Sequence, residues 1–206
     1  MTEPVKKRTW LQTILQAPVA SVWAASIVLM YFIVASIIDQ PVWQVQHARD
    51  LVQFGAACGL FFEAWDAWRL IASQWLHVKF PHMIFNALII AVVGSAIERY
   101  SGWLVMLCVG IGGGALAQLA TLFTQPEAYV SGASQAYLAL CGMALVLIRP
   151  KSAAWWAAVG GTAVSVALDL FVSTHGTLKI GHVVGLSAGV FAGALVLFSK
   201  WRRDAV

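Results

Sequence analysis

Six apolar stretches, most of them long enough to cross a lipid bilayer, decide what this chain can become. About 20 apolar residues in helical form span a hydrocarbon core of about 30 Å, and in lipid every backbone polar group must be satisfied within the segment. Residues 19–38 meet that length, and so do Phe80 to about Ile97, Trp103 to about Phe123, Ala153 to about Val172 and Gly181 to about Phe198. A sixth run, Gly132 to Ile148, corresponds to only about 25 Å of helix, so its head is expected to start below the membrane surface. Charged residues make up 11% of the 206 positions and hydrophobic ones 60%. Soluble domains carry about a quarter charged residues, so an ordinary soluble fold is excluded. The expected fold class is all-α and polytopic, a bundle of six transmembrane helices. The first run exceeds the 7–15 residues of a signal-peptide core, so it reads as a retained span. Trp10, Trp68, Trp75, Tyr100, Trp103, Trp155 and Trp201 fall near the ends of apolar runs, as interfacial belts require.

The segments between the runs set the organisation. Residues 1–18 carry Lys6, Lys7 and Arg8, then Trp10, Leu11, Ile14 and Leu15 at helical spacing, ending at Pro18. They read as a cytoplasmic interfacial segment ahead of a membrane domain at 19–200, with 201–206 as a cytoplasmic tail. The loop from Asp39 to Arg69 is too polar to span and too apolar for a free linker, so part of it is expected in the interface. With the N-terminus inside, Lys6, Lys7, Arg8, Arg99, Arg149, Lys151, Lys200, Arg202 and Arg203 are cytoplasmic. Arg49, Arg69, Lys79 and Lys179 are outside, and nine against four satisfies the positive-inside rule. The net charge of +4 is thus accounted for by topology, and nucleic acid is not an expected partner. Cys58, Cys108 and Cys141 form no disulfide framework and read as packing residues.

In this topology spans two, four and six all run inward, which brings His82, Ser134 and His182 to similar depth in the outer half. Ser134 opens span four after Val130-Ser131-Gly132-Ala133, near the unpaired N–H groups and positive dipole of a helix start. That position suits an N-cap or a nucleophile. Glycine at 181, 185, 189 and 193 forms a period-four stripe on span six. Such a stripe serves close packing; against span four, it would bring His182 to hydrogen-bonding range of Ser134. His82 and Asn86 share one face of span two, as interhelical hydrogen-bond partners or as donors to an oxyanion. Asp169, near the outer end of span five, reads as an interfacial carboxylate that snorkels or meets Lys179. No HExxH helix or paired carboxylate points to a metal, and no cofactor is expected.

Taken together, Trp68-Arg69, His82 and Asn86, Gly94 and Glu98, Gly132-Ala133-Ser134, and His182 with Gly185 and Gly189 resemble the rhomboid intramembrane serine proteases of the six-helix bacterial type. The resemblance covers about Ala67 to Gly193. It implies a Ser134–His182 dyad without a catalytic aspartate, oxyanion donors from His82 and Asn86, and structural roles for Gly132, Gly185, Gly189, Trp68, Arg69 and Glu98. It also implies that span five, with Asp169 and Phe171, and the loop at 173–180 form a gate. The implied partners are transmembrane protein substrates in the lipid bilayer of a bacterial inner membrane, cut near its outer face. Two positions depart from the family pattern: Gln135 stands where glycine usually follows the nucleophile, and Leu138 where an aromatic usually packs on the histidine, with Tyr137 one residue early. A weakly active or inactive relative that binds transmembrane helices is the alternative. A transporter is disfavoured because no two-fold hydropathy repeat is apparent.

Overall fold

The computed structural model describes residues 16–173 and 176–204. Six helices carry the fold: α1, Pro18–Ile37; α2, Phe80–Ser101; α3, Trp103–Thr124; α4, Ser134–Leu147; α5, Ala153–Phe171; and α6, Ile180–Asp204. All but α4 are long and apolar enough to span a membrane. The protein is therefore a multi-pass integral membrane protein. The helices match the six expected runs to within a few residues at most ends. The main extension is α6, which continues through Asp204 and takes in most of the expected tail. The basic interfacial segment expected at 1–18 lies almost wholly outside the described residues.

Helix α4 is the centre. Nearly every side chain on it is buried, from Ser134 and Gln135 to Met143, Ala144 and Leu147, as a helix apolar on all sides requires. Its most extensive partner is α6. The glycine stripe explains the closeness: a Cβ at Gly185 would strike the Gln135 carbonyl, one at Gly189 the Ala139 carbonyl, and one at Gly142 of α4 the Leu186 carbonyl. Without a hydrophobic driving force between helices in lipid, this backbone proximity is what packing energy is made from. On α3, Gly110 meets the Trp23 ring, Gly113 meets Ala139 and Gly114 meets Ala136 and Gln74. Gly112 faces open space and serves no such contact.

At the other end of the bundle, Glu98 of α2 accepts the Val19 and Ala20 N–H groups of α1 at 3.2 and 2.7 Å. These are orphan donors of a helix start, so one carboxylate caps α1 and joins it to α2. The turn from α4 to α5 passes through Lys151 at φ 64°, and Ser152 then caps α5 by accepting the Trp155 N–H. Cys58 and Cys141 are buried as expected of packing residues, whereas Cys108 is exposed.

The long loop after α1 is folded. Short 3-10 turns alternate with β1, Ala57–Cys58, which pairs antiparallel with β2, Tyr129–Val130, just before α4. Arg69 holds the loop together. It bonds Asp66 at 2.7 Å, the Val52 carbonyl at 2.7 Å and the Ala56 carbonyl at 3.3 Å, while its guanidinium lies over the Trp68 ring. Gly55, at φ 113°, leaves room for that ring. Leu60, Phe61 and Trp65 remain exposed on the same loop.

Candidate active site

Ser134 is the first residue of α4, and the chain reaches it through Gly132, whose φ of 108° favours glycine. Any Cβ at Gly132 would also press on the His82 ring at 3.3 Å. The Gly132 N–H donates to the Ser73 carbonyl at 2.9 Å, which ties the approach to the folded loop. From the head of α6, His182 places Nε2 3.0 Å from Ser134 Oγ. The expected meeting of hydroxyl and imidazole is thus observed, and the contact of α4 with the glycine stripe brings it about.

The other nitrogen of His182 meets a group that the resemblance did not place there. Nδ1 lies 2.7 Å from Asp169 Oδ2, and Asp169 is 1% exposed. A carboxylate only accepts, so the proton sits on Nδ1 and Nε2 is left as the acceptor for the Ser134 hydroxyl. Asp169 Oδ2 also accepts the Lys179 N–H at 3.1 Å, and Lys179 Nζ is 3.5 Å from Oδ1. Of the two expected alternatives for this carboxylate, the contact with Lys179 is present. Snorkelling is not, because the side chain points into the bundle.

Beneath the serine lies a buried polar cluster organised by His77, a residue of the short stretch just before α2. Its Nδ1–H donates to the Trp75 carbonyl at 3.3 Å, which leaves Nε2 to accept from Asn86 Nδ2 at 2.8 Å and from the Ala133 N–H at 3.2 Å. Burial first, then the neighbouring His82, pushes the His77 pKa down to about 3, so the ring is neutral. The same Asn86 amide lies 3.3 Å from His82 Nε2. Asn86 is therefore engaged by two histidines and lies behind the wall of the cavity, whereas His82 is on it. The spacing His77-x4-His82-x3-Asn86 was the available signal, but a histidine outside a helix gives no face to assign.

A cavity of ≈ 210 Å³ opens over Ser134 and His182 and is lined also by His82, Tyr137, Asp169 and Lys179. A larger groove of ≈ 520 Å³ shares His82, Phe85, Tyr129, Ser131, Leu168 and Lys179 with it and runs between the first turns of α2 and the last turns of α5. Gln135, the first departure, donates Nε2 to Thr121 Oγ1 at 3.1 Å. It fits because Gly181 opposite it has no side chain. Leu138, the second, is buried in the core, while Tyr137 beside it stacks edge-on against Phe85 and its hydroxyl bonds Ser165 of α5. Phe171 is 83% exposed at the end of α5 and lines neither the cavity nor the groove. Trp68, Arg69 and Glu98 lie away from the cavity, in the scaffold contacts described above.

Comparison with known proteins places these features in a family. The Rhomboid domain profile matches residues 64–199. The chain is 34% identical over 157 residues to Rhomboid-like protease 2 of Toxoplasma gondii, covering 70% of this chain and 53% of that protein. It is 29% identical over 144 residues to the putative rhomboid protease YdcA of Bacillus subtilis, with 66% and 70% covered. Against the rhomboid protease GluP of the same organism it is 27% identical over 158 residues, with 75% and 31% covered. The chain thus spans about half the length of the Toxoplasma relative and a smaller share of GluP. With a profile match running from the end of the loop through α6, the chain belongs to the rhomboid family of polytopic membrane proteins.

Proposed function

We propose that this protein is an intramembrane serine endopeptidase in which Ser134 and His182 cleave transmembrane or juxtamembrane segments of other membrane proteins. The observation that carries the reading is the 3.0 Å contact between Ser134 Oγ and His182 Nε2 beside a cavity. Ser134 Oγ attacks the scissile carbonyl carbon as its proton passes to His182 Nε2. The developing oxyanion is met by the N–H groups that open α4 and by the imidazole N–H of His82. Asn86 braces His82 and joins as a second donor by releasing one of its histidine partners. Collapse of the intermediate breaks the C–N bond, and the imidazolium returns the proton to the leaving amine. A water activated by His182 then attacks the acyl-serine and regenerates the hydroxyl.

The groove between α2 and α5 supplies a route for a substrate helix from lipid to the serine. The charge bias orients the site toward the outer face of a bacterial inner membrane, with both termini cytoplasmic. No cofactor enters this chemistry. The test is cleavage of a model transmembrane substrate by the purified protein in liposomes. Ser134→Ala and His182→Ala are each expected to lower the rate by at least about 10³-fold. Equal cleavage by all three proteins would contradict the reading and favour a bundle that only binds membrane helices.

A further inference from the structure

We propose that Asp169 is a positioning residue for the reaction, the third member of a hydrogen-bonded triad in which it fixes the tautomer and ring orientation of His182. This rests on the proteolytic reading above and departs from the two-residue site that the family resemblance implies. Asp169 is 1% exposed, near the outer end of α5, and its carboxylate would be costly in a membrane interior without partners. It has three contacts. Oδ2 takes the His182 Nδ1–H at 2.7 Å and the Lys179 N–H at 3.1 Å, and Oδ1 faces Lys179 Nζ at 3.5 Å.

The consequence is chemical as well as structural. A neutral imidazole accepts the Ser134 proton at Nε2 only if its own proton is on Nδ1, and an acceptor-only group at Nδ1 enforces that state. When Nε2 takes the serine proton, the same carboxylate stabilises the imidazolium without itself being protonated. Asp169 is carried by α5, a different helix from the two groups it serves. The Tyr137–Ser165 hydrogen bond, one turn earlier on α5, pins that helix to α4 and holds the carboxylate at this distance.

A residue that merely anchored the segment before α6 would act on stability, or on KM and kcat together. A positioning residue acts on kcat. The experiment compares wild type, Asp169→Asn and Ser134→Ala in the liposome cleavage assay, with thermal unfolding of each. In the Asn variant the amide can donate to Nδ1 and hold the wrong tautomer. The expected result is a kcat lowered more than tenfold with KM within about twofold, the analogous exchange in a soluble triad being worth about 10⁴. A kcat within tenfold of wild type would overturn the proposal. If Ser134→Ala is silent while Asp169→Asn is fast, only the Asp169 role fails; if Ser134→Ala is fast, the proteolytic reading fails. Proton NMR of the folded wild type decides the matter should Asp169→Asn not fold. A strongly deshielded Nδ1–H resonance that disappears in His182→Ala is expected, and its absence would overturn the proposal.

Discussion

Gly189 of α6 lies so close to Ala139 of α4 that a Cβ on the glycine would overlap the alanine carbonyl oxygen. This contact sits along the same two helices that bring His182 to Ser134, so the backbone approach and the site geometry are one feature. Gly189→Ala is expected to push α6 from α4, costing about 1–3 kcal/mol of stability as overpacking does, and to lower cleavage. Gly160→Ala on α5, where a Cβ meets nothing within 4 Å, is expected to leave both unchanged. Thermal unfolding and the cleavage rate of the pair check this; equal effects at the two positions would contradict it.

Gly181 and Gln135 make a matched pair. A Cβ at 181 would overlap Gln135 Nε2 and Thr121 Oγ1, and His182 is the next residue. Gly181→Ala is expected to displace the imidazole and slow labelling of the serine by a fluorophosphonate at least about tenfold, a cost of about 1.4 kcal/mol in barrier. Adding Gln135→Gly removes one of the two obstructions and recovers part of the rate. A double variant as slow as the single one would show that Gln135 is not what Gly181 accommodates.

His77 gives the fold a pH dependence. Its folded pKa of about 3 lies below the ordinary 6.5, so between those values the unfolded chain binds the extra proton. The contribution is fully present above about pH 6.5 and is lost progressively as the pH falls toward 3. Denaturation midpoints in detergent are expected to fall across that window, and His77→Asn, which cannot titrate there, is expected to flatten the slope. An unchanged slope would remove His77 as the source.

Much of this was legible because membrane burial leaves strong marks. Six apolar runs fixed six helices, and the stripe from Gly181 to Gly193 pointed to the α4–α6 contact and so to Ser134 meeting His182. The remainder depends on distances that periodicity does not encode. The position of Asp169 near the end of span five points to an interfacial carboxylate or a contact with Lys179, and the contact is there, yet the same group also turns inward to a histidine thirteen residues later. Glu98 was recognisable by resemblance, but its partners, the Val19 and Ala20 N–H groups, lie at the far end of the chain. His77 lies in an irregular stretch between two helical segments, so nothing local announced that it would hold both Asn86 and the residue before the serine.

The proposed chemistry begins with activation of the Ser134 hydroxyl by His182. The rate at which a fluorophosphonate labels the protein in liposomes, with the modified residue located by mass spectrometry, reads that activation out. Modification at Ser134 is expected in the wild type, with a rate at least about 100-fold lower in His182→Ala. Modification at another residue, or an undiminished rate without the imidazole, would contradict it.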